Sequence, residues 1–287
     1  MGGQRIVLLA GAMFQYADAG QYHTMNPIYH QYLDTDQYMG QSVGRFLNKM
    51  AEAAAKKIAA LCQTHRVSLA LSFGKDSMTL LHICHRFNLI DHISLIMWNN
   101  SGIESHDTLG MRDYVLSVYP EMRSRYVETV PASDPYEYLA AFDGGSLKPL
   151  SAFVSNCLEK TRWDKFDEYE IDGVILGLRK QESLVRLKNY RLRGERYYNK
   201  REEAVIITPL INWGVEHIFA YAASEGIPLH PIYGRSHRLG FDRGMTRVNT
   251  LASLDMARYG AMVHVKMLYP DEFRQMCDRI PMIANMV

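Results

Sequence analysis

The segment Val67-Ser68-Leu69-Ala70-Leu71-Ser72 is a short, nearly unbroken apolar run that Gly74 interrupts. Asp76-Ser77 then opens Met78-Thr79-Leu80-Leu81-His82-Ile83-Cys84, which reads as a buried helix. Strand, tight loop, helix is the first unit of a βαβ fold. It constrains the rest of the chain strongly, because a strand apolar on both faces needs parallel neighbours and helices to cover it.

The unit repeats. Ile93 to Trp98 reads as a second strand and Ser105 to Val118 as a helix opened by hydroxyl and acidic residues. Tyr126 to Val130 is a third strand stopped by Pro131, Ser151 to Glu170 a helix, and Gly173 to Leu178 a fourth strand. Ala204 to Thr208 is a fifth, stopped by Pro209, and Gly214 to Ser224 a further helix. Upstream, Val43, Phe46, Leu47, Met50, Ala54, Ile58 and Leu61 repeat every ~3.6 residues and predict a helix from Ser42 to Gln63. The expectation is an α/β fold, a parallel sheet of about five strands flanked by helices, with helical appendages at both ends. The organisation expected is an N-terminal extension and helix over 1–66, a nucleotide-binding domain over 67–235, and a helical C-terminal appendage over 236–287 packed on it. Within the extension, residues 12 to about 40 show no sustained period and predict irregular chain with one short helix.

Composition narrows the partners. A hydrophobic share of 47% with 22% charged residues belongs to a globular chain, and a formal net charge of +1 gives no global attraction to nucleic acid or anionic membrane. No apolar run reaches the ~18 to 20 residues that span a bilayer. Arg5 to Ala12 is short, and no convincing small-residue cleavage site follows it. The expectation is a cytoplasmic chain whose N-terminus supplies a strand or a buried extended segment. Cys62, Cys84, Cys157 and Cys277 form no CxxC pair, so no zinc or iron–sulfur site is expected, and each reads as a small buried apolar residue.

The loop Ser72-Phe73-Gly74-Lys75-Asp76-Ser77 carries the chemistry. Gly74 can take positive φ and lets backbone approach an anion. The amides of the helix start, aligned with its dipole, make an anion site. Ser72 and Ser77 add hydroxyl donors and Lys75 a mobile charge. Asp76 beside phosphate implies a helix cap or a hold on Mg²⁺. The string is not a Walker A loop, since GxxxxGK[ST] is absent.

This loop resembles the SGGKDS signature of the PP-loop superfamily, in the branch of phosphoadenylyl-sulfate (PAPS) reductases, ATP sulfurylase small subunits and FAD synthetases. Phe73 stands where that signature usually has a second glycine. The resemblance implies a twisted parallel sheet with ATP or PAPS bound by its phosphates at the loop. Asn99-Asn100-Ser101-Gly102-Ile103-Glu104, with Asp107-Thr108, resembles the family's (N/D)TGxExxET segment. It puts Ser101, Gly102 and Glu104 at the nucleotide, with Glu104 orienting a ribose or, with Asp76, magnesium. Gly177-Leu178-Arg179-Lys180-Gln181-Glu182, running on to Arg186, resembles the GxRxxES..R element, whose arginines face the nucleotide's anionic groups. Gly177, Arg179, Glu182 and Arg186 join the expected site on that basis. Pro209 to Trp213 and His230 to Tyr233 match the "PLxxW" and "HPLY" elements, and their apolar character predicts packing, with Trp213 and His230 structural.

The family's reductases carry a cysteine in an ECGxH-like motif near the C-terminus. This chain has Arg238-Leu239-Gly240-Phe241 where R-x-G-C is frequent, and Cys277 lies in a helical context without Glu-Cys-Gly. The expected activity is therefore cleavage of ATP at the α–β phosphate bond, adenylyl transfer to an unidentified acceptor with pyrophosphate release. Lys75, Asp76 and Arg179 are the expected catalytic groups. Two other readings stay open: PAPS reduction through Cys277, and a nucleotide-binding accessory subunit of a nucleic-acid modification or defence assembly. The last rests on Lys188 to Arg201, basic and interleaved with tyrosines, which suits nucleic acid or is simply a solvated loop. The oligomeric state is open, a homo-oligomer included.

Overall fold

The structure is a computed structural model and describes residues 27–131, 133–140, 159–244, 246–248 and 259–287. The expected N-terminal strand, Cys157 and the first half of the helix expected from Ser151 lie outside these residues.

One six-stranded sheet organises the chain. Its strands are β1 (Val67–Ala70), β2 (Leu95–Asn99), β3 (Tyr126–Thr129), β4 (Gly173–Ile175), β5 (Arg196–Asn199) and β6 (Ala204–Ile207), in the order β3-β2-β1-β4-β6-β5. All pairings are parallel except β5 with β6. The sequence predicts five strands, and the sixth comes from the basic stretch read there as a loop or a nucleic-acid surface. Arg196 and Tyr198 are exposed while Tyr197 and Asn199 are half-buried. An edge strand tolerates this charge, because only one of its sides joins the ladder.

The helices are α1 (Pro27–Ser42), α2 (Gly44–Cys62), α3 (Lys75–Arg86), α4 (His106–Val118), α5 (Pro135–Ala140), α6 (Lys160–Glu168), α7 (Leu184–Arg193), α8 (Val215–Glu225), α9 (Ile232–Arg238), α10 (Tyr259–Leu268) and α11 (Pro270–Arg279). One sheet face carries Val67, Leu69, Ile96, Trp98, Ile175 and Ile207, packed under α2, α3 and α8 as the main core. The register puts Ser68, Leu95, Met97, Val174 and Ile206 on the other face, which Phe166 of α6 helps to cover.

The N-terminal helices are built into this body. Leu47, Ala51, Ala54, Ile58 and Leu61 of α2 are buried with the strands. α1 has 16 residues where a short helix is expected, and it lies along α8. The contact is close: a Cβ on Gly40 would meet the Ala220 carbonyl and the Ser224 Cβ at 2.8 Å each. Asp36 of α1 also takes both guanidinium nitrogens of Arg243, at 2.5 and 2.8 Å. The C-terminal helices α10 and α11 form a small core of their own, in which Met262, Val265, Phe273 and Met276 meet Ile103.

Candidate functional site

Sheet topology chooses the place. Chain order runs outward from β1 through β2 to β3, then returns to β4 on the other side of β1. The carboxyl ends of β1 and β4 therefore flank a topological switch point, where open α/β sheets bind ligands. A cleft of about 440 Å³ opens there, lined by the 72–77 loop apart from Phe73, by Asn99, Gly177, Glu182, Arg186 and Tyr233, and by Gly244, Thr246, Arg247 and Val248.

The loop is held from inside. The Ser72 N–H donates to Ser77 Oγ at 3.2 Å, and Ser77 Oγ donates to the Gly74 carbonyl at 3.0 Å. The residue in the left-handed region is Phe73, at φ 58°, whereas Gly74 is extended at φ −76°. The expectation of positive φ at Gly74 is corrected: the reversal falls one residue earlier, where the family signature has its other glycine. Phe73 takes the strained conformation because its ring is fully buried, edge-on to Trp98 at 5.1 Å. Its side chain thus faces the core, and only its backbone serves the loop. Gly177 explains the close approach of the second wall, since a Cβ there would meet Asp76 and Ser77 backbone atoms at 3.1 Å.

Charge is concentrated behind this loop. Asp76 receives Lys75 Nζ at 3.0 Å on one oxygen and Arg179 Nε at 2.5 Å on the other. Glu182 accepts the Arg179 backbone N–H at 3.0 Å and pairs with Arg186. Arg179 is 2% exposed and Lys75 3%. Burial pushes the Lys75 ammonium below its ordinary pKa, partly opposed by Asp76 and helped by Arg179 and Arg247. Arg186 is also lowered, by burial first and then by Arg247. Lys75, Arg179 and Arg186 thus gather around two carboxylates, Asp76 and Glu182, and Arg247 lines the same cleft. The amides of Asp76 and Ser77 have no acceptor among the described residues and open the helix at this point.

The structure brings together Ser72, Gly74, Lys75, Asp76, Ser77, Gly177, Glu182 and Arg186 on the cleft wall, with Arg179 behind Asp76. Ser101, Gly102 and Glu104 do not line it. Glu104 accepts the Ser101 backbone N–H at 3.1 Å and its hydroxyl at 2.7 Å, and burial raises its pKa. Gly102, at φ 76°, donates its N–H to Asn100 Oδ1. This loop serves the C-terminal helices through Ile103, while Asn99 faces the cleft. A magnesium ion shared by Asp76 and Glu104 does not fit these donors, since lysine and arginine occupy one carboxylate and Ser101 the other. Among the described residues no three His, Cys, Asp or Glu side chains form a metal-binding group.

Sequence reasoning missed Tyr233 and Arg247. Tyr233 belongs to His230-Pro231-Ile232-Tyr233, expected only to pack, and its apolar neighbours do pack with Phe219, Val248 and Tyr269. Its hydroxyl, however, accepts the Lys75 N–H at 2.9 Å, and its ring lies 5.7 Å from Lys75 Nζ. The signal available was the phenol hydroxyl at the end of a tetrapeptide expected to pack. Arg247 carries no local signal. Trp213 is buried against Tyr221, and His230 is buried between Thr108 and the Ile232 N–H. Asp107 pairs with Arg235 at 2.7 Å, tying α9 to α4. Cys277 is half-buried on α11, and burial, then Asp278, pushes its thiol pKa up, away from the thiolate that nucleophilic chemistry needs.

No described helix is long and apolar enough to cross a membrane. Among curated proteins, the chain is 23% identical over 188 residues to sulfate adenylyltransferase subunit 2 of Rhizobium tropici, covering 58% of this chain and 57% of that one. It is 23% identical over 197 residues to the same subunit of Pseudomonas paraeruginosa, covering 62% of each. The chain thus spans about three fifths of the length of these relatives. Among solved structures, a phosphoadenylyl-sulfate (PAPS) reductase from Candida auris, a phosphate complex, superposes with a TM-score of 0.49 at 14% identity over 70% of this chain and 91% of that one. The family model described as phosphoadenosine phosphosulfate reductase domain matches residues 66–248, the span that holds the sheet, the loop and every cleft residue named above. This chain belongs to the phosphoadenosine phosphosulfate reductase domain family, within the PP-loop superfamily.

Proposed function

We propose that the cleft binds an adenine nucleotide by its phosphates and cleaves ATP between the α and β phosphates, transferring adenylyl to an acceptor. The observation that carries this reading is the cluster of Lys75, Arg179 and Arg186 beside an open helix start at the sheet's switch point. An oxygen of the acceptor attacks the α phosphorus, the bond to the bridging oxygen breaks, and the electron pair leaves on pyrophosphate. Any acceptor proton passes to solvent.

Such a reaction needs positioning and charge stabilisation rather than a protein nucleophile. The Asp76 and Ser77 amides are the donors for the departing phosphates. Lys75 and Arg179, held on either side of Asp76, balance the charge that develops there. An arriving polyanion favours the charged form of Lys75, which burial disfavours in the free protein. Adenylyl transfer is the class of reaction for which the relatives, sulfate adenylyltransferase subunit 2, are named. Sulfate is accordingly the first acceptor to test. The raised thiol pKa of Cys277 speaks against thiol-dependent reduction of a sulfonucleotide.

The test incubates purified protein with magnesium, ATP and sulfate or other oxyanions, and follows pyrophosphate. Release is expected, falling about 100-fold or more in Arg179→Ala. Bound ATP that yields no pyrophosphate with any acceptor overturns the proposal. Sulfite release from PAPS and thioredoxin, lost in Cys277→Ser, would replace it with the reductase.

A further inference from the structure

Helix α7 and strand β5 leave the cleft as one strongly basic unit. Residues 184–201 contain seven lysines and arginines and a single acid, Glu195, which is tied to Lys57 of α2 at 2.8 Å. Lys188, Arg191, Arg193, Arg196 and Lys200 are exposed, and none has a carboxylate partner among the described residues. Arginines elsewhere, such as Arg86, Arg112, Arg162, Arg235 and Arg243, do have one. No residue of α7 is fully buried. Five adjacent, unneutralised cations repel one another, and an anionic partner relieves that repulsion.

The placement gives the unit a direction. Arg186, in the first turn of α7, lines the cleft. Beyond the end of the helix, the Glu195 carbonyl accepts the Thr208 N–H, just past the carboxyl end of β6. Both ends of α7 therefore stand at the carboxyl edge of the sheet, and its ~15 Å length leads from the cleft to the edge strand. The outer face of α7 is not a continuous apolar patch. Leu184 and Val185 are 84% and 68% exposed at its start and Leu192 is 72% exposed at its end, with Lys188 between them at helical spacing. Of the tyrosines, Tyr190 and Tyr197 lie against Lys180 and Arg193, while Tyr198 is 59% exposed. Cations spaced along an edge, with a few flat or apolar side chains among them, suit a chain of phosphates with free base planes better than the apolar core of a protein interface.

We propose that α7 and β5 form a docking surface for single-stranded nucleic acid, one end of which is directed at the nucleotide cleft. Binding requires no turnover, so this proposal fails or stands separately from ATP cleavage.

The test measures fluorescence anisotropy of the full chain with labelled single-stranded oligonucleotides longer than the ~16 nucleotides of a large single-strand site, against polyglutamate as an acidic-peptide competitor. Five phosphate contacts predict a salt slope of about −3.5, hence about a 100-fold loss of affinity from ~50 to ~200 mM salt. Lys188→Glu with Arg191→Glu is expected to flatten the slope by about 1.4, while thermal stabilisation by ATP stays as in the wild type. Tyr198→Ala is expected to weaken binding about tenfold through lost stacking. Absent binding at ~50 mM salt, or affinity unchanged in the double variant or in Tyr198→Ala, overturns the proposal. Polyglutamate competing as well as oligonucleotide also overturns it, and assigns the surface to an acidic protein.

Discussion

Phe73 holds a left-handed backbone with a fully buried ring, so two effects oppose each other in Phe73→Gly. Relief of the backbone returns about 1 to 2 kcal/mol, glycine's unfolded-state entropy costs about 0.5 to 1, and loss of a buried phenyl ring costs about 3 to 5. Chemical denaturation is expected to show a net loss of about 3 kcal/mol, within about 1.5 to 5, although the change restores the family's usual residue. A gain in stability would mean that strain at the loop outweighs packing against Trp98. At Tyr233, the phenol oxygen accepts the Lys75 N–H, which leaves the hydroxyl proton to donate into the cleft. Tyr233→Phe is expected to weaken pyrophosphate binding about five- to tenfold by calorimetry, the worth of one hydrogen bond, and to leave adenosine binding as it was. Equal pyrophosphate affinity would reduce Tyr233 to a packing residue. Lys75, Asp76 and Arg179 were legible at this scale, because loop and arginine motif place opposite charges on neighbouring strand ends. Tyr233 was not, because its role depends on a contact across 158 positions.

Among the elements, those with a strong period were read from sequence and those shaped by neighbours were not. The buried strands β1, β2, β4 and β6 and helix α2 declare themselves by apolar spacing. β5 hides because an edge strand can be charged, and α1 because Gly40 and a polar composition weaken its pattern. Gly40 also separates propensity from packing. Gly40→Ala favours an isolated helix by about 0.8 to 1 kcal/mol, yet its Cβ would sit 2.8 Å from the Ala220 carbonyl of α8. Backbone atoms cannot turn aside as a side chain can, so overpacking of about 1 to 3 kcal/mol wins. Thermal denaturation is expected to show Gly40→Ala destabilised; a raised Tm would show that α1 can move off α8 at little cost.

At the scale of the whole molecule, α9 and α4 meet through His230. The Ile232 N–H donates to Nδ1, so the proton sits on Nε2 facing Thr108, and burial pushes the imidazole pKa down to about 4. The unfolded chain binds a proton at the ordinary value of 6.5, whereas the folded chain refuses it until about pH 4. Stability is therefore complete above pH 6.5 and falls as pH drops from there to about 4, by roughly 2 to 3 kcal/mol from this residue. His230→Asn keeps a short acceptor without titrating in this range, and urea denaturation across the window is expected to show a shallower pH slope. An unchanged slope would place the acid sensitivity elsewhere, the half-buried His82 being another imidazole with a pKa near 4. The sequence alone determined the α/β class, the strand–loop–helix unit at Val67 to Arg86 and the family, since these depend on residues close together: a strand's apolar run, a reversal, a helix start. Only the tertiary structure decided that Phe73 rather than Gly74 reverses the loop, that Glu104 turns away from the cleft, and that Tyr233 and Arg247 complete it. Those outcomes follow from which distant side chains compete for the same space and charge, and no local pattern records that competition.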